Sequence, residues 1–114
     1  MNESERLRSE ARAEVLKALA HPTRIFIIEK LQSEPHCVCE LTDMIGADTS
    51  TVSKHLAVLK GAGVVTDRKE GTTVYYSLTC DCVESIIEGV ERVVRSRFEK
   101  QRKAVAGMAA PGRT

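Results

Sequence analysis

No run of 18 apolar residues occurs in this 114-residue chain, and its start, Met1 to Arg12, is charged throughout. A membrane-spanning helix needs about 20 consecutive apolar residues, and a secretory leader needs an apolar stretch behind a basic start. Neither is expected, so the chain is assigned to the cytoplasm with no membrane partner. Nothing repeats at a fixed period and no low-complexity segment stands out. Net charge is also lacking, at +1, so total charge alone would attract no nucleic acid. With 42% hydrophobic and 29% charged side chains, the length suits one compact domain over residues 1–105 and leaves no room for a second core.

What charge there is lies unevenly. Residues 1–48 carry 6 basic and 9 acidic groups, and residues 83–114 carry 7 and 4. Between them the cations bunch at Lys54, Lys60, Arg68 and Lys69. Local potential would therefore have to draw any polyanion.

Apolar residues Leu7, Ala11, Val15, Ala18 and Leu19 recur at helical spacing, which predicts a first helix from Glu3 to Leu19. His21-Pro22 breaks it, and Pro22 suits the first position of a second helix, where a missing N–H costs nothing. Ile25, Ile28 and Leu31 are its expected inward face. After the turn at Ser33-Glu34-Pro35, a short third helix is expected to end at Gly46, with Leu41, Met44 and Ile45 inward. Asp48 or Thr49 caps a fourth helix, in which Val52, Leu56 and Leu59 form one stripe before Gly61 and Gly63. Two helices joined by a tight turn make a helix-turn-helix pattern. From Val64 to Leu78 the period changes to two around Glu70-Gly71-Thr72, which predicts a β-hairpin wing. A last helix starts near Val83. Its stripe of Val83, Ile86, Ile87, Val90, Val93, Val94 and Phe98 is broader than one small domain needs and calls for a partner helix. A disordered tail is expected over residues 106–114.

If the fourth helix buries Val52, Leu56 and Leu59, then Ser50, Lys54 and Ala57 lie opposite, with Thr51, Ser53 and Val58 at the edges. Short hydroxyls near a helix N-terminus and a cation suit base edges and phosphates in a major groove. Ser50, Thr51, Ser53 and Lys54 are the candidate DNA contacts there, against the plainer alternative of a solvated helix face. Arg68, Lys69 and Thr72 near the wing tip could reach neighbouring phosphates. His55 lies beside the inward stripe and either touches DNA or packs beneath the helix.

Four cysteines in a reducing compartment are poor candidates for structural disulfides. They form two pairs, Cys37-Val38-Cys39 and Cys80-Asp81-Cys82, each where an extended segment becomes a helix. Residues i and i+2 point the same way in an extended chain and diverge by about 200° on a helix, so chelation requires an open turn. A helix N-terminus lowers thiol pKa and makes thiolate available. Such sulfur sites favour Zn(II), Cd(II) or Cu(I), and three thiolates equally suit trigonal As(III) or Sb(III). The bland alternative is a set of small buried hydrophobes. In a winged fold the segment before the third helix can pair with the returning wing strand. Position 37 would then approach positions 78 to 80 and the two pairs would converge.

The segments Leu16-Lys17-Ala18-Leu19-Ala20-His21-Pro22-Thr23-Arg24, Cys37-Val38-Cys39-Glu40-Leu41, Ser50-Thr51-Val52-Ser53-Lys54-His55-Leu56 and Val74-Tyr75-Tyr76-Ser77-Leu78 together resemble the ArsR/SmtB family of metal-sensing repressors, over roughly Leu16 to Val94. The resemblance implies a mainly α, winged helix-turn-helix homodimer of order α-α-α-α-β-β-α. In it the first and last helices form the interface, and ligand binding releases operator DNA. It also implies that Cys37 and Cys39 are metal ligands, as in the arsenic- and cadmium-sensing branches. The arsenic branch commonly has a third cysteine where this chain has Thr42. The cadmium and lead branch draws cysteines from an N-terminal arm that has none here. Cys80 and Cys82 are the expected substitutes. Residues 83–105 contain no histidine, which disfavours the zinc or nickel site on the last helix of other members.

The sequence thus leads to a DNA-binding repressor released when Cys37, Cys39, Cys80 and Cys82 capture an inducer ion, As(III)/Sb(III) foremost. No resident cofactor is required. The alternatives are a sensor of Cd(II), Pb(II) or Zn(II) and a thiol redox or persulfide sensor. A thiol oxidoreductase would carry C-x-x-C in a βαβ context. Neither feature is present, and no enzyme is expected.

Overall fold

The computed structural model describes residues 1–109. By its internal contacts the chain divides into two compact units, residues 1–84 and the described residues from Ser85 to Ala109.

In the first unit, α1 (Glu3–Leu19) opens with a capping box. Asn2 accepts the Glu5 N–H, and the Glu5 carboxylate accepts the Asn2 N–H, so two of the orphan donors at the helix start are satisfied. α2 (Pro22–Ser33) starts on Pro22 with His21 as its cap. A two-residue strand, β1 (His36–Cys37), leads into α3 (Val38–Ile45). Gly46 ends α3 with φ +80°, and its N–H donates to the Thr42 carbonyl over 2.9 Å. A side chain would be strained in that conformation, and glycine is not. Asp48 then caps α4 (Thr49–Gly61), so only residues 46–48 separate α3 from α4. β2 (Val65–Glu70) and β3 (Thr73–Leu78) follow, joined by Gly71-Thr72 with Gly71 at φ +64°. The sheet order is β1-β3-β2, all antiparallel.

Four helices and a three-stranded wing make a winged helix-turn-helix, as expected. The core is Leu19, Ile27, Ile28, Leu31, Leu41, Val52, Leu56 and Leu59, closed by Val64 and Val65. Val52, Leu56 and Leu59 are fully buried, and each such burial stabilises by about 1.5–3 kcal/mol. Two inward assignments need correction. On α2 the buried pair is Ile27 and Ile28 while Ile25 is half-buried, because the core meets the i, i+1, i+4 side of that helix. On α3 only Leu41 is buried, and Met44 is 40% exposed.

α5 (Cys82–Ala109) begins in the first unit, where Val83 is buried, and supplies all the described residues of the second. Val90, Val93, Phe98 and Val105 on it are exposed. Residues 106–109, expected in a structureless tail, belong to α5, and the rest of that expectation falls on residues 110–114, outside the described residues. Among the described residues no helix is long and apolar enough to cross a membrane.

Candidate functional site

Burial of Val52, Leu56 and Leu59 turns the opposite face of α4 outward, and Ser50, Thr51, Ser53 and Lys54 are all exposed on it. The Asp48 carboxylate accepts the Thr51 N–H over 2.8 Å and the Ser50 hydroxyl over 3.1 Å. Bonds from Thr51, then from Ser50, hold the Asp48 carboxyl below its ordinary value. The first turn of α4 is thereby ordered, with its remaining N–H groups and hydroxyls available to an anion.

The wing adds cations of unequal availability. Arg68 is engaged by Glu70 at 2.7 Å on the same strand face. Lys60 is engaged by Asp67 at 2.8 Å, a bond that raises its pKa. Lys54 and Lys69 make no ion pair among the described residues. Thr72 is exposed at the hairpin tip.

His55 lies beneath α4. Its Nδ1 is 3.2 Å from Arg24 Nη1, its ring is 4.4 Å from that of His21, and it is only partly exposed. Burial first, then the charges of His21 and Arg24, lower its pKa. Of the two roles open to His55 from its place in the sequence, these contacts fit packing beneath the helix. Arg24 had no signal in the sequence for this contact, which joins residues 31 apart.

Cys37 is the N-cap of α3. Its Sγ accepts the Glu40 N–H over 3.3 Å, while the Glu40 carboxylate accepts the Cys37 N–H over 3.1 Å. The bond from the Cys37 N–H is the main cause that lowers the Glu40 pKa, and His36, 3.4 Å away, assists. This capping box was legible in principle, since Glu40 stands three residues after Cys37, but cysteine is an uncommon cap. Cys37 and His36 are buried, and Cys39 is exposed. Thr42, at the position where the arsenic branch commonly has a third cysteine, has a buried hydroxyl with no hydrogen-bond partner among the described residues.

The cysteines depart from expectation in two respects. Each C-x-C is closed as a disulfide, Cys37 to Cys39 and Cys80 to Cys82, with Cα atoms 5.4 and 5.2 Å apart. The extended backbone at Cys37 (φ −84°, ψ 166°) keeps the two side chains of its pair on one side, as an open turn requires. Nor do the pairs converge within the chain. β1 does join β3, but Cys37 stands opposite Tyr75 and His36 opposite Tyr76, not opposite positions 78 to 80. From Tyr75 to Leu78 alone, β3 advances about 10 Å. Cys80 borders an open groove of about 350 Å³ together with Ser33, Glu34 and Pro35, and neither Cys37 nor Cys39 lines it. Among the described residues no group of three or more His, Cys, Asp or Glu side chains is arranged to hold a metal ion.

Residues 21–67 match the family model described as bacterial regulatory protein, arsR family. The chain is 40% identical over 85 residues to an HTH-type transcriptional regulator of Methanocaldococcus jannaschii, covering 74% of this chain and 96% of that one. It is 43% identical over 77 residues to a cadmium resistance transcriptional regulatory protein CadC homolog of Staphylococcus aureus, covering 67% of this chain and 64% of that one. Among solved structures, it is similar to the homodimeric winged helix-turn-helix DNA-binding domain of a possible ArsR-family transcriptional regulator from Mycobacterium bovis. That similarity has a TM-score of 0.78 at 28% identity, covering 87% of this chain and 92% of that one.

Proposed function

Since the chain belongs to the arsR family of bacterial regulatory proteins, DNA-binding transcriptional regulators rather than enzymes, we propose that it is a homodimeric repressor whose hold on operator DNA is released by a soft ion on its thiols. Ser50, Thr51, Ser53 and Lys54 of α4 enter the major groove, while Arg68, Lys69 and Thr72 of the wing approach the flanking phosphates. Two protomers join through α1 and α5. The exposed Leu7 and Leu16 on α1 and Val90, Val93 and Phe98 on α5 support that interface, as does the homodimeric state of the similar domain from Mycobacterium bovis.

The observation that carries the reading is Cys37 as the cap of α3. Its sulfur receives the N–H of the first turn, so an ion drawn onto reduced Cys37 and Cys39 competes with that bond. Three residues of turn pass the strain to α4, against which α3 packs. As(III) or Sb(III) is the foremost inducer, with Cd(II), Pb(II) or Zn(II) as the alternative, of which the staphylococcal relative's name favours Cd(II). Cys80 and Cys82 form a second pair, with access to the groove beside it. Coupling of about 1–3 kcal/mol would weaken operator binding roughly 5- to 150-fold.

A second reading is favoured by the closeness of the two sulfurs within each C-x-C pair: oxidation or persulfidation of the same thiols is the signal. Titrating the reduced chain on its own promoter with arsenite, antimonite or Cd(II), and in parallel with a polysulfide, separates the two. Loss of operator affinity with an ion supports the first reading. An effect of the polysulfide alone rejects the first and supports the second.

A further inference from the structure

Arg24 ties together two helices that share no backbone hydrogen bond. From α2, its Nε donates to the Ala18 carbonyl over 2.6 Å and its Nη2 to the Lys17 carbonyl over 3.5 Å, both in the last turn of α1. Its Nη1 reaches His55 Nδ1 on α4 at 3.2 Å. A guanidinium has donors and no acceptor. His55 Nδ1 must therefore offer its lone pair, which leaves the ring neutral with its proton on Nε2. His21 Nδ1 is likewise an acceptor, of the Thr23 N–H over 3.0 Å. One permanent cation and two imidazoles, 4.4 Å apart, thus lie directly behind the helix that carries Ser50, Thr51, Ser53 and Lys54.

We propose that Arg24 and His55 are positioning residues for DNA binding: their bond seats α4 on the end of α1 only while His55 is neutral, so acid unseats the helix and weakens operator binding. A second proton on His55 would set N–H against N–H and a new cation against Arg24. The charges acting on the ring come from Arg24 and His21, on the α2 side, and α1 contributes the two carbonyls that hold Arg24. α3 and β2, which also pack on α4, place no charge that acts on it. Seated, His55 takes up its proton below the ordinary value of 6.5. An unseated ring protonates at about that ordinary value, so the seated form is favoured above it and loses ground as pH falls through the lower, folded value. Simple electrostatics predicts the opposite, because each protonated histidine adds attraction for phosphates.

The test measures operator affinity of the full chain by fluorescence anisotropy between pH 7.5 and 5.5 at fixed salt, with circular dichroism showing that the protein remains folded. Wild type is expected to lose about fivefold or more in affinity, the low end of what a coupled conformational change supplies. In His55→Asn an amide oxygen can accept from Arg24 and takes no proton. Whatever its affinity at pH 7.5, the ratio between the two ends of the range should stay within about twofold. In Arg24→Gln the affinity should fall at pH 7.5 and the pH dependence should shrink. Nitrogen-15 spectra of the wild-type imidazoles supply a reading that needs no variant, with His55 expected in the Nε2–H form. Binding that is flat or tightens in acid, a fall in His55→Asn as large as in wild type, or a His55 proton on Nδ1 at pH 7.5 would each overturn the proposal.

Discussion

Cys37 on β1 stands opposite Tyr75 on β3, and the cysteine nearest to it in the second pair, Cys80, follows only after β3 has ended at Leu78. That register keeps the two C-x-C pairs apart within one chain. Any coupling between them passes through the sheet or through a second protomer.

Separate pairs have a countable consequence. Phenylarsine oxide binds two neighbouring thiols, so the reduced chain should take up two equivalents, seen as two mass additions. Cys80→Ser with Cys82→Ser should leave one, as should Cys37→Ser with Cys39→Ser. A one-equivalent adduct whose two protected thiols map by alkylation to different pairs would show that the pairs do meet.

The cations of the DNA face should not be equivalent. Glu70 already engages Arg68, whereas Lys54 and Lys69 make no ion pair among the described residues. Lys54→Ala should reduce the slope of log affinity against log salt by about one. Arg68→Ala should change it by less. A Lys54→Ala slope equal to that of wild type would remove Lys54 from the phosphate contacts.

Acid should loosen both ends of the α3-turn-α4 segment. Glu40 and Asp48 have pKa values held below 4.5 and 3.8 by the bonds they accept at the two helix starts. The stability they contribute is present in full above those ordinary values and is lost as pH falls through the lower folded ones. Asp48→Ala should lower the melting temperature at neutral pH by roughly 5 °C, and Asp48→Asn by less, since asparagine also caps. The gap between wild type and Asp48→Ala should narrow as pH falls below the ordinary value of 3.8. A gap independent of pH would assign the loss to something other than the charged cap.

The proposed dimer can be broken without touching the core. Val93 is 66% exposed on α5, so Val93→Asp should leave the melting of the isolated protomer unchanged. It should halve the mass measured by light scattering and cost operator affinity. A variant that remains dimeric would move the interface elsewhere.

Much of the fold could be read from short-range signals. Pro22 at a helix start, Gly46 with its positive φ, Asp48 as a cap and the Gly71-Thr72 tip each act within about four residues, and local backbone preference suffices to place them. The stripe of Val52, Leu56 and Leu59 then decided which face of α4 looks outward, and with it the candidate DNA contacts. On α2 the same logic chose Ile25 where Ile27 is buried, because periodicity yields a face but not its rotation against neighbours.

By itself, the order of residues determined seven elements of the fold, the outer face of α4 and the presence of two dithiol motifs. Only the tertiary structure decided that β1 meets β3 at Tyr75 and Tyr76, that His55 turns back toward Arg24, and that the sulfurs lie as two pairs within one chain. Helix starts, stops and turns follow from energies between near neighbours. Strand register and the partners of a half-buried ring follow from packing between segments 30 or more residues apart, where no local signal in the chain records the outcome.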